Sequence, residues 1–143
     1  MKKTLILFFS AIVIGGGLAL YIFNKGFNKE TEKEGYGMAH AFQIGAFTNY
    51  DNAINVANRN NGIVVTDNDI YRVYVTILQS DQAIKKMSEY YDTIGLNYYL
   101  KDVLVSNSFL NEIGVYEDKI RKGNVNDYNT ISEDVLMKYQ NSL

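Results

Sequence analysis

The chain has 143 residues, 47% of them hydrophobic and 21% charged, with a formal net charge of −2, which gives it the material for one packed domain with a short appendage and sets it apart from disordered chains. It contains no cysteine and a single histidine, excluding a disulfide framework, thiolate zinc sites, a Cys nucleophile and a His-rich metallohydrolase centre. Its slightly acidic balance and the lack of an aromatic RNP pattern argue against a nucleic-acid partner.

From Thr4 to Phe23 no charge occurs, and about 20 apolar residues are what a helix needs to cross the ~30 Å hydrocarbon core of a bilayer. Lys2 and Lys3 precede this run, whereas the flank after it mixes lysines with Glu30, Glu32 and Glu34. The expectation is a single membrane-spanning anchor with the N-terminus cytoplasmic and the rest of the chain extracytoplasmic. Gly17, Leu18 and Ala19 have the small-x-small form of a signal-peptide cleavage site. The apolar run nevertheless continues through Phe23, beyond the usual length of a cleaved segment, so a retained anchor is preferred. Asn24 to Gly37 is polar and lacks an apolar period, and so reads as a tether whose root-mean-square span is about 20 Å by the scaling of flexible chains.

Ala39 to Phe47 alternates as a half-buried strand, with Phe42 and Ile44 inward and Gln43 outward, and Thr48 or Asn49 can cap a following helix over Asn49 to Asn60. Ile63 to Thr66 reads as a short strand, Asp67, Asn68 and Asp69 as a turn, and Ile70 to Leu78 as a longer strand. Within the longer strand Tyr71, Val73 and Val75 alternate with Arg72, Tyr74 and Thr76, so placing the first set in the core sends the second to the opposite face. Ser80 can cap a helix carrying Ala83, Ile84, Met87, Tyr91 and Ile94, which Gly95 ends, and Asn97 to Val105 returns to strand composition. The resulting βαββαβ order, found in ferredoxin-like and RNP-like α+β folds, predicts a four-stranded antiparallel sheet with two helices on one face and the other face open. Two short helices should follow, at Ser108 to Lys122 and Ile131 to Asn141. The second has Thr130 and Glu133 at capping-box spacing and an apolar stripe of Ile131, Val135, Leu136, Tyr139 and Leu143.

Gln43-x-Gly45-x-Phe47, the run Tyr71-Arg72-Val73-Tyr74-Val75, the two intervening helices and the YYLKDV ending together resemble the SPOR domain of bacterial cell-division and sporulation proteins. The resemblance covers about residues 39 to 105. Ala46, Ile70 and Thr76-Ile77-Leu78 stand where many members have a Ser, an aromatic and a Gly-Pro-aromatic run. The resemblance implies a non-catalytic module that binds peptidoglycan glycan strands on the open sheet face. The expected organisation is an anchor at 1–23, a linker at 24–37, a SPOR-like domain at 38–105 and a helical extension at 106–143.

On the residues themselves, Gln43, Arg72 and Tyr74 should be neighbours on that face, with Tyr99 and Lys101 extending it from the edge strand. Amide and guanidinium groups can hydrogen-bond sugar hydroxyls, and tyrosine rings can stack on the apolar faces of sugars. No catalytic residue, cofactor or metal ligand is assigned. His40 falls with Phe42 and Ile44 on the strand and reads as a packed or strand-end residue. The rival expectation is a structural component that docks other division or sporulation proteins through a sheet face or the Ile131 to Leu143 stripe and has lost glycan affinity.

Overall fold

The computed structural model describes residues 35–143. The expected anchor and the tether as far as Glu34 lie outside the described residues, and no described helix is long and apolar enough to cross a membrane. The chain runs β1 (Tyr36–Phe47), α1 (Tyr50–Arg59), β2 (Ile63–Asp67), β3 (Ile70–Leu78), α2 (Asp81–Thr93), β4 (Tyr99–Ser106), α3 (Asn107–Lys122) and α4 (Tyr128–Asn141). The four strands form one antiparallel sheet in the order β2-β3-β1-β4. The fold is therefore α+β, with helices packed on an antiparallel sheet.

Local chemistry sets most of the element ends. Asn49 Oδ1 accepts from the Asn52 N–H at 3.0 Å to start α1. Beyond its end Asn61 takes a left-handed φ of 52°, which lets the Gly62 N–H return to the Ala57 carbonyl at 2.9 Å. Gly95, at φ 72°, closes α2 in the same manner as the Leu96 N–H reaches the Tyr91 carbonyl. Two starts differ from expectation by three residues. β1 begins at Tyr36, inside the expected tether, because Tyr36 to Ala39 pair with Ser106 to Val103 of β4. The last helix starts at Tyr128, so Thr130 lies within it and caps nothing. A short turn at Val125–Asp127, capped by Asn124, winds the chain earlier, and the buried Tyr128 hydroxyl donates to the Ile120 carbonyl at 2.9 Å.

Ala53 and Ala57 of α1 pack on Val73. Phe42 is fully buried against the rings of Tyr91 and Tyr98, at 5.3 and 4.9 Å between centroids. Small residues on α1 let the helix approach the sheet closely, so Val73→Ala should leave a cavity that cannot collapse. The expected loss is about 1 to 3 kcal/mol of stability in denaturant unfolding. A variant as stable as the parent would contradict this placement.

The second face is not open along its whole length. α4 packs against β3, and α3 packs against β1 and β4. A side chain at Gly37 would meet Leu110 of α3, and Val103 and Val105 are buried. Tyr74 and Thr76, expected at the surface, are 2% and 0% exposed, and the buried Thr76 hydroxyl finds no hydrogen-bond partner among the described residues. The apolar stripe of the last helix is turned inward. Ile131, Val135, Leu136 and Tyr139 are buried in the same core cluster as Tyr74 and Ile77, while Leu143 is exposed and takes no part.

One carboxylate ties this layer to the rest of the fold. Glu117 of α3 is buried and accepts from the backbone N–H groups of both Gln79 and Ser80, the latter at 2.9 Å. It thereby joins the end of β3 to the start of α2. Glu117→Ala strands two backbone donors at a buried site and should cost about 1 to 3 kcal/mol. Thermal unfolding beside the parent measures this, and an unchanged midpoint would mean that the contact contributes nothing.

Candidate functional site

The part of the second face left uncovered carries one polar side chain from each strand. Gln43 comes from β1, Arg72 from β3, Asp67 from the end of β2 and Lys101 from β4. Arg72 Nε donates to Asp67 Oδ2 at 2.7 Å, Arg72 Nη1 donates to Gln43 Oε1 at 3.2 Å, and Lys101 Nζ lies 3.6 Å from Asp67 Oδ2. Asp67 and Lys101 belong to the two edge strands, so the carboxylate gathers groups from the full width of the sheet. Tyr99 is the register partner of Gln43 and is 67% exposed. The side chains of Arg72, Lys101 and Asp67 retain 23%, 29% and 37% of their exposure, which leaves them half-sunk yet reachable.

Irregularities in the β1–β3 pairing aim Gln43. The pairs His40↔Leu78 and Ala41↔Ile77 and, further along, Gly45↔Val73 and Ala46↔Arg72 follow one register, in which Gln43 would oppose Val75 on the face that α1 covers. Register shifts on either side pair Gln43 with Tyr74 instead, beside Arg72. Redirecting a side chain in this way is what bulges in strands do near binding sites. Gly45 has its own requirement, because the Phe47 ring lies where its Cβ would stand. That contact accounts for the Gly-x-Phe half of the motif, and the register shift accounts for the Gln.

Five residues were expected at the site. Gln43, Arg72 and Lys101 are joined in one network, and Tyr99 stands beside it. Tyr74 is adjacent but sealed: its burial, with Tyr139 of α4 adding to the effect, pushes its phenol up to about 12. Its ring therefore cannot stack on a ligand. Asp67 is the residue that the sequence reading missed, having been assigned to the turn. A carboxylate five positions before an outward arginine across a tight hairpin was the available signal. The left-handed φ of 54° at Asn68 makes that hairpin.

The Arg72 hydrogen bond, with further help from the charges of Arg72 and Lys101, holds the Asp67 carboxyl below its ordinary 3.8. A depressed carboxyl contributes its interaction fully above its unfolded value and loses it only as pH falls through the lower folded value. The network should therefore stay intact through mild acid. In an NMR titration the Asp67 carboxyl carbon should have its midpoint below pH 3.8, and in Asp67→Asn the Arg72 side-chain N–H signals should broaden or move. A midpoint at or above the ordinary value would contradict the network.

With Asp67 satisfying two cations, the free donors of Arg72, Lys101 and the Gln43 amide outnumber the free acceptors. With two cations beside one carboxylate, the site suits a ligand rich in oxygen acceptors that also has an apolar face for Tyr99. Among the described residues no group of three His, Asp or Glu side chains could hold a metal ion. His40 Nδ1 lies 2.9 Å from Asp102 Oδ1, across strands and apart from this network. No protein-family model, curated protein or solved structure matches the chain.

Proposed function

We propose that residues 35–143 form a SPOR-like, non-catalytic module that binds peptidoglycan glycan strands, held at the outer surface of a bacterial membrane by the Thr4 to Phe23 anchor and acting at division or sporulation sites. In this reading the β1-to-β4 core has the ferredoxin-like arrangement of SPOR domains, and α3 and α4 are additions that cover part of the sheet. The observation that carries it is the four-strand network of Gln43, Arg72, Asp67 and Lys101 beside the exposed Tyr99 ring. Glycan strands present hydroxyl and carbonyl oxygens together with apolar ring faces, which are the complements of this set.

The rival reading, a docking component that uses a sheet face or the 131–143 stripe, has less support at the stripe, because Ile131, Val135, Leu136 and Tyr139 are buried in the chain's own core and only Leu143 is exposed. Sedimentation of the full chain in detergent with purified peptidoglycan, with and without its stem peptides, tests the proposal. Binding should survive removal of the peptides. Failure to sediment with either form would overturn it.

A further inference from the structure

β1 and β4 present different chemistry on their two faces. Gln43 with Tyr99 and Ala41 with Lys101 lie on one side, and the alternate pairs His40 with Asp102 and Met38 with Leu104 lie on the other. On this other side the strands end in an apolar patch. Tyr36 is 66%, Met38 49% and Leu104 65% exposed, and strand period places all three on one surface. Beside them the His40 imidazole and the Asp102 carboxylate are paired at 2.9 Å.

We infer that this patch rests on the lipid headgroup surface of the membrane to which the chain is tethered. The inference depends on the anchor proposed above. Two features favour lipid as the occupant, the second resting on the glycan-binding reading. Only residues 24–35 separate the uncharged run from Tyr36, and twelve residues reach at most about 40 Å even fully extended, so the patch begins close to where the uncharged run ends. The glycan-binding network also lies on the opposite face of the same two strands, so a domain seated on its Tyr36, Met38 and Leu104 side turns Gln43 and Tyr99 away from the membrane and toward the wall. Tyrosine beside aliphatic side chains is the composition that settles at a membrane interface. The domain is thereby oriented as well as tethered.

The chain contains no tryptophan, so single substitutions give unique fluorescent reporters. Full-length Leu104→Trp, Tyr99→Trp and Ile12→Trp are reconstituted separately into vesicles of phosphatidylcholine and phosphatidylglycerol, with and without brominated acyl chains. Ile12→Trp reports the anchor, and bromine should quench it. Leu104→Trp should lose most of its emission to bromine near the interface, and Tyr99→Trp should lose little. If Ile12→Trp is quenched and Leu104→Trp is not, the docking inference fails while the anchor stands. A blue-shifted Leu104→Trp that bromine does not quench also overturns it, assigning the patch to a second copy or another protein. Equal quenching at positions 99 and 104 overturns the orientation. An unquenched Ile12→Trp removes the anchor and the inference with it.

Discussion

Ending the chain after Ser106 should abolish cooperative folding, although every strand of the sheet and both crossover helices remain. The reason lies in what α3 and α4 bury. Phe109, Ile113, Ile120, Ile131, Val135, Leu136 and Tyr139 share one core cluster with Tyr74, Ile77 and Leu78 of β3. Burying a large apolar side chain contributes about 1.5 to 3 kcal/mol. Several such losses together exceed the roughly 5 to 15 kcal/mol of net stability of an ordinary domain. The truncation also removes Glu117 and so leaves the Gln79 and Ser80 N–H groups without their acceptor. Urea unfolding followed by circular dichroism should show a sharp transition for the full chain and none for the truncated one. A truncated chain with a sharp transition near the parent's midpoint would show that α3 and α4 are dispensable additions.

That dependence was only half visible in the sequence. Alternation from Ile70 to Val73 correctly separates Arg72 from the core, but from Val73 to Leu78 the only polar side chains are the Tyr74 phenol and the Thr76 hydroxyl, and such a run belongs to a strand covered on both faces. Extending the alternation through it placed Tyr74 and Thr76 at the surface, where α4 now lies. The stripe of the last helix was legible as needing a partner, yet nothing local identified the partner as β3. A cap at Thr48 or Asn49, of which the structure uses Asn49, the cap at Ser80 and the stop at Gly95 were legible because each acts within a few residues. Glu117 acts on backbone 37 and 38 positions away, and Lys101 meets Asp67 across the width of the sheet, so neither leaves a local pattern. Simple alternation places Gln43 on the Arg72 face, whereas the structure reaches that arrangement through register shifts in the β1–β3 pairing.

The second large effect is expected in binding. One hydrogen bond at an accessible site contributes about 0.5 to 1.5 kcal/mol net, so a single substitution should weaken binding several-fold. Gln43→Ala combined with Arg72→Ala removes the Gln43 amide and the Arg72 guanidinium from the network and leaves Asp67 with Lys101 and the Asn68 side-chain amide. Binding should then fall to background. Folding should be little changed, because both side chains are partly exposed and neither belongs to the core cluster. The deciding measurement is sedimentation of this double variant with peptide-free glycan strands beside the parent chain, with circular dichroism confirming that both are folded. The glycan-binding account predicts a parent that sediments and a folded double variant that stays in solution; a folded double variant that sediments as fully as the parent would contradict it.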